Sequence, residues 1–130
     1  MKQSKIRFAY QEEMPTVKQW LEANPAGDFD QDILGYPTLK VICCYREQPD
    51  TYLPVHQAMI METVGFRKEL GLLDRAASVR DLTKASELIA SSLGIREIYF
   101  LGGAEGMGEL AMRQAGFEKL DTPVYRLKLK

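Results

Sequence analysis

Residues 88–117, LIASSLGIREIYFLGGAEGMGELAMRQAGF, carry most of what the chain says about its fold. Read from the left, they are the end of a helix, a buried strand, a glycine-rich turn and a short helix closed by Gly116-Phe117. Gly94 stops the first helix, because glycine takes the left-handed conformation of a C′ residue without a Cβ penalty. IREIYFL over 95–101 is a buried strand, and GGAEGMG over 102–108 is a loop. ELAMRQA over 109–115 is a short helix capped by Gly116. A long helix that runs straight into a buried strand implies a crossover connection and some parallel pairing.

Outward from that unit, Leu72, Ala76, Val79, Leu82, Ala85 and Leu93 recur at three- and four-residue spacing. They predict a helix over 72–93. KIRFAY over 5–10 alternates and reads as a first strand. Met14, Val17 and Leu21, with Trp20 beside them, make an apolar stripe on a helix from residue 11 to about 23. Glu12, Glu13 and Pro15 suit the first turn of that helix. Residues 28–37 are a loop or one short helix. TLKVICCY over 38–45 is a strong central strand, and REQPD over 46–50 reverses the chain into TYLPVHQAMIMETVGF over 51–66. That stretch fits two short strands or one long bent one, antiparallel to the strand before it, with Pro54 marking a bulge or an edge. VYRLKLK over 124–130 alternates as a final strand. The order is β, α, antiparallel β-hairpin, α, β, α, β, expected as one domain over 1–130.

Composition removes several functions. Seventeen basic and eighteen acidic side chains leave a net charge of -1, which supplies no field for a nucleic-acid backbone or an anionic membrane. No apolar run approaches the roughly 20 residues that span a bilayer, and the basic N-terminus lacks an apolar h-region. Cys43 and Cys44 are adjacent in a strand, so their side chains point to opposite faces and do not bridge each other. Reduced thiols in the cytoplasm are expected. Two cysteines and one histidine without ligand spacing do not close a metal shell.

The element order, with IREIYFL, ELAMRQAGFEKL and VYRLKLK at its end, resembles the GNAT superfamily of N-acyltransferases. The resemblance implies an α/β fold, GNAT-like, with a mixed, mostly antiparallel sheet and helices on both faces. It implies transfer of an acyl group from acetyl-CoA or another acyl-CoA to an amine on a small molecule or a protein, with a homodimer compatible. Glu62, in AMIMETVGF, falls where family members place a base. Burial would raise its pKa towards what an amine needs. Strand amides near Met61 to Val64 would hold the acyl carbonyl. Lys68 and Gly71, in KELGLL, are the nearest approximation to the family's Arg/Gln-x-x-Gly-x-Gly/Ala loop, whose amides cradle the coenzyme pyrophosphate.

Departures from the family pattern are specific. Leu73 stands where a small residue is expected, Met112 where the family often has a tyrosine acid, and Glu105 where it often has an asparagine. They support an alternative: a non-catalytic GNAT-like binding or structural protein that has lost CoA binding, of the kind found in phage and prophage genomes. Each candidate also has a plainer reading. Glu62 reads as a solvent-facing residue on an edge strand. His56 reads as an ordinary strand histidine unless Cys43 or Cys44 lies opposite it across the hairpin. Arg67, Lys68, Arg75 and Arg80 either meet phosphates or form a solvated face with Glu69, Asp74 and Asp81.

Overall fold

A computed structural model describes residues 3–24, 29–101, 106–121 and 124–129. The chain is a mixed α/β protein with an antiparallel sheet, a shorter strand pair and three α-helices among the described residues. It divides into two compact units, Met1–Met59 with Ala90–Glu97, and Ile60–Ile89 with Ile98–Lys130.

The first unit is built on strands β1 (Lys5–Phe8), β2 (Lys40–Arg46) and β3 (Gln48–Val55), in the order β1-β2-β3. Both pairings are antiparallel, with Arg7 opposite Cys43 and Cys43 opposite Tyr52. That register puts Val41, Cys43 and Tyr52 on one face, where helix α1 (Met14–Glu22) lays Val17 against them. Val17 and Cys43 are fully buried. Burying a side chain the size of Val17 is worth roughly 1.5–3 kcal/mol. The burial of Cys43 pushes its thiol pKa up, as expected for an inert core cysteine. Ile6, Phe8 and Leu53 face the other way, which is the alternation a pleated strand imposes.

The hairpin is tighter than the sequence predicts. Arg46 pairs with Gln48, so Glu47 alone forms the apex, with φ at +72°, a conformation non-glycine residues adopt uncommonly. The ladder then skips Asp50, since Tyr45 faces Pro49 and Cys44 faces Thr51. Arg46 Nη1 donates to Asp50 Oδ2 at 2.6 Å and Thr51 Oγ1 donates to Asp50 Oδ1 at 2.8 Å, which fastens this bulge. Pro54 marks an edge, one of the two readings the sequence allows, because β3 ends the sheet order. Residues 28–37, open between loop and short helix, contain a 3-10 turn at Gln31–Gly35, started by Asp30 Oδ1 accepting from the Asp32 amide.

The stretch 51–66 is two strands: β3, and β4 at Met59–Met61. Helix α2 runs Leu72–Ser92, one residue short of the sequence expectation, and strand β5 is Ile98–Phe100. The Met59 amide donates to the Glu97 carbonyl at 3.1 Å and the Leu101 amide donates to the Met61 carbonyl at 3.3 Å. Both chains advance together between those bonds, so β4 and β5 are parallel. Gly94, at φ +72°, closes α2: its amide donates to Ser91 O at 3.1 Å and the Ile95 amide to Ala90 O at 2.9 Å. These are the two bonds of a Schellman cap, and they turn the chain toward β5. Helix α3 (Met107–Ala115) starts two residues before the position the sequence predicts and ends on Gly116 at φ +74°. Phe117 behind it packs against Phe100 with the rings tilted and their centres 6.0 Å apart.

Two expectations are corrected. Residues 124–129 form no strand: Val124, Tyr125, Leu127 and Leu129 are 73–89% exposed. Alternation supplies the two faces of a strand but no partner for its backbone, and a strand without a partner is not stable. The predicted strand also does not reach residue 66. β4 stops at Met61, because the partner strand β5 is only three residues long. The glycine loop predicted at 102–108 lies largely outside the described residues.

Candidate active site

β4 delivers the chain into an irregular run, 62–71, that ends at the first turn of α2. All five sequence-predicted site residues lie on this run or at its edge. Met61 is the last residue of β4, half-buried, with its carbonyl held by Leu101. Glu62 follows it and is exposed, so it stands after the strand and not inside it. Val64 is half-buried, while Lys68 and Gly71 are exposed. Chain order brings the five together. No hydrogen bond or ion pair among them is seen between described residues.

The second half of the run is held by one side chain from α2. Arg75 Nε donates to the Leu70 carbonyl at 2.8 Å and its Nη2 donates to the Lys68 carbonyl at 3.3 Å. Its guanidinium also lies 5.1 Å from the centre of the Phe66 ring. Within the run, the Leu70 amide donates to Arg67 O at 3.0 Å, and the Arg75 amide donates to Gly71 O at 3.0 Å to begin the helix. Of the two readings open for Arg75, the structure therefore gives a third: it binds its own loop. A rigid fork with several donors suits adjacent carbonyls in this way.

Gly71 carries no positive φ, and a Cβ there would meet nothing within 4 Å. The backbone at this point is open from outside. Leu72 and Leu73 do not close it either, being 83% and 88% exposed. Met112 is an exposed residue of α3, and Glu105 lies outside the described residues.

The strongest electrostatics lie elsewhere, in the first unit. Arg7 Nη1 donates to Glu13 Oε1 at 2.5 Å, the Tyr10 amide donates to the same oxygen at 2.9 Å, and the Tyr52 hydroxyl donates to Oε2. The Arg7 bond above all, then the Tyr10 amide and Tyr52, hold the Glu13 carboxyl at about 2. Burial, helped by Glu13, pushes Tyr52 up to about 12. Arg7 lies over the rings of Tyr10 and Tyr45 at 4.1 and 5.4 Å. This knot ties β1, the start of α1 and β3 together.

A second cluster escapes the sequence reading. His56 lies just past β3, and its Nε2 is 3.5 Å from Glu97 Oε2. Tyr36 meets the His56 ring edge-on at 5.1 Å. Burial first, then the charge and hydrogen bond of Glu97, raise the Tyr36 hydroxyl pKa. A carboxylate inside the apolar run IREIYFL demands a partner, and that was the one signal available. Neither cysteine supplies it, since Cys43 and Cys44 face Tyr52 and Thr51 in the register. Among the described residues no group of three or more acidic, histidine or cysteine side chains is placed to hold a metal ion. Nor is any helix among them long and apolar enough to cross a membrane.

No protein-family model matches the sequence, and no curated protein matches it. Among solved structures, the chain is similar to an aminoglycoside antibiotic 6'-N-acetyltransferase from Acinetobacter baumannii. The two are 17% identical over 98% of this chain and 99% of that one, with a TM-score of 0.33. The match is broad in extent and slight in geometry, and it assigns neither a family nor an activity.

Proposed function

We propose that this chain is a GNAT-like N-acyltransferase that moves an acyl group from acetyl-CoA, or another acyl-CoA, to an amine of a small molecule or a protein. One observation carries the reading. The run 62–71 leaves β4, feeds the start of α2, and α2 returns to a strand parallel to β4. In such a crossover the end of the first strand and the start of the helix open on the same side, where ligands of α/β proteins gather.

The donor set fits a diphosphate. The first amides of α2 have no helical partner, Lys68 adds a cation, and Gly71 leaves backbone approach open. Asp74, in the first turn, opposes an anion and sets a limit on affinity. Bound acyl-CoA supplies the activated thioester. Glu62 would take the proton that the amine gives up as its nitrogen attacks the thioester carbonyl; the C–S bond then breaks, and CoA leaves as a thiolate that is protonated by Glu62 or by water. Amides near Met61 and Val64 donate to the carbonyl oxygen as negative charge develops on it. The exposure of Glu62 leaves room for an acceptor amine beside it.

Titration calorimetry with acetyl-CoA, followed by an acetylation assay on a panel of amines, tests this reading. Binding that Glu62→Gln leaves intact, together with lost turnover, supports it. Absence of heat at millimolar acetyl-CoA ends it. A second reading, a non-catalytic binding module of the phage or prophage type, has one observation in its favour. Leu72 and Leu73 are adjacent, large, apolar and exposed at the mouth of the same run, which suits a protein contact better than an anion.

A further inference from the structure

We propose that the sheet face turned away from α1 receives a second copy of this chain, in a two-fold dimer that stacks sheet on sheet. It rests on no part of the acyltransfer reading. Val17 of α1 packs on the face that carries Val41, Cys43 and Tyr52. The pleat sends the alternate residues of all three strands the other way. The register groups them there: Ile6 lies opposite Cys44, Phe8 opposite Ile42, Ile42 opposite Leu53, and Lys40 opposite Val55. Ile42 and Cys44, on the central strand, are half-buried by their neighbours. Ile6, Phe8 and Leu53 are 65, 63 and 57% exposed.

The amount of bare apolar surface matches what a dimer needs. At roughly 150–200 Å² for a fully exposed residue of this size, Ile6, Phe8, Leu53 and Val55 leave about 330–450 Å² uncovered. Ile42 and Cys44 add their share to that. A stable interface buries about 800 Å² on each partner, of which about 450 Å² is apolar. Three paired strands offer this area in one contiguous piece, which single exposed leucines elsewhere do not.

Charge on the face suits a partner of the same sequence. Lys40 stands at the start of β2, beside Val55, and makes that end basic. The other end is the hairpin, where Glu47 and Asp50 outnumber Arg46. A two-fold axis perpendicular to the sheet reverses the strands of the partner. The Lys40 end of each copy then meets the acidic hairpin end of the other, as a self-complementary contact requires. Aligned sheets pack about 10 Å apart. The axis passes through the middle of β2, between Ile42 and Cys44, and brings the two Cys44 thiols within reach of a short cross-linker. Cys43 is fully buried against α1 and does not compete for it.

Light scattering of the full chain, from micromolar to submillimolar concentration, tests this. The wild type should show twice the chain mass. Phe8→Lys and Leu53→Lys should each raise the dissociation constant about a thousandfold, because every substitution enters the contact twice. Their far-UV circular dichroism should be unchanged, since both side chains are exposed in the single copy. Leu73→Lys, more exposed still but on α2, should leave the dimer intact. A short bismaleimide at low micromolar protein should join two copies, and Cys44→Ser should abolish that product. A wild type that stays monomeric overturns the proposal, whether Cys44 then reacts freely or is covered by the chain itself. So does a dimer that survives both lysine variants, that Leu73→Lys breaks, or that gives no Cys44 product. Should one lysine variant fail to fold, the other and the cross-link decide.

Discussion

Glu13 and Glu62 are both carboxylates beside the end of a short strand, and they are opposites in every other respect. Glu13 has three donors on its two oxygens, one of them a guanidinium at 2.5 Å. Glu62 is exposed, with its strand ending just before it. The usual inference runs from a shifted pKa to a functional site. Here the large shift belongs to the group least able to act as a base, because a carboxylate held at about 2 has little appetite for a proton at neutral pH. Perturbation around Glu13 records cohesion. The proposed chemistry sits where the chain has left a carboxylate unclaimed by its core.

Four measurements press on that contrast. The largest effect is expected at Glu62. Glu62→Gln should lower kcat by about a hundredfold or more and leave the urea midpoint within experimental scatter. An equal loss of stability would make Glu62 a second Glu13. Next comes Glu13→Gln, which takes the anion away from Arg7 and Tyr52. It should cost about 3 kcal/mol in urea unfolding without changing acetyl-CoA affinity.

Acid titration of the wild type gives a smaller effect with a defined sign. The folded value for Glu13 is about 2, below the ordinary 4.5, so its contribution is complete above the ordinary carboxylate range. It is lost as pH falls from there toward 2. About 2 kcal/mol should disappear over that window once solvent screening is allowed for, and Glu13→Gln should show a shallower acid limb. Smallest are the two glycines that bracket α2. Gly94→Ala meets both a positive φ and Pro37, and should cost about 1 kcal/mol or more. Gly71→Ala meets neither and should be neutral or stabilising by up to about 1 kcal/mol. Reversed signs would mean that the loop before α2, and not its closing turn, is the demanding backbone.

The residues differ in how much of this they disclose. α2 was legible because a repeated three- and four-residue spacing and Gly94 are local signals, and both hold in the structure. The pairing of β2 and β3 was legible because the cluster REQPD over 46–50 separates two apolar runs closely enough for a hairpin, although the apex is Glu47 and Pro49 and Asp50 already belong to β3. Residues 124–129 misled, since VYRLKL encodes two faces but nothing about what lies alongside. The site divides the same way. Glu62, Lys68 and Gly71 could be named from their order around the start of a helix. Glu97 could not be matched to His56 and Tyr36, because those three come from connections far apart in sequence and only tertiary folding brings them together. Arg75 was visible only as one charge among several. Its two bonds to Lys68 and Leu70 depend on the path of a loop that no periodicity describes.

The bulged rim of the antiparallel sheet has a consequence of its own. β3 carries Pro49 and Pro54, with Asp50 displaced between their pairings. A free sheet edge invites another chain to dock along its row of amides, which is how fibrils and strand-joined aggregates begin. Proline has no amide hydrogen to offer, and the bulge breaks the spacing an incoming strand would need. Charged gatekeepers at such edges weaken in salt or when they titrate. This one is covalent, so the protein should stay dispersed at that edge in conditions where charge repulsion has been switched off.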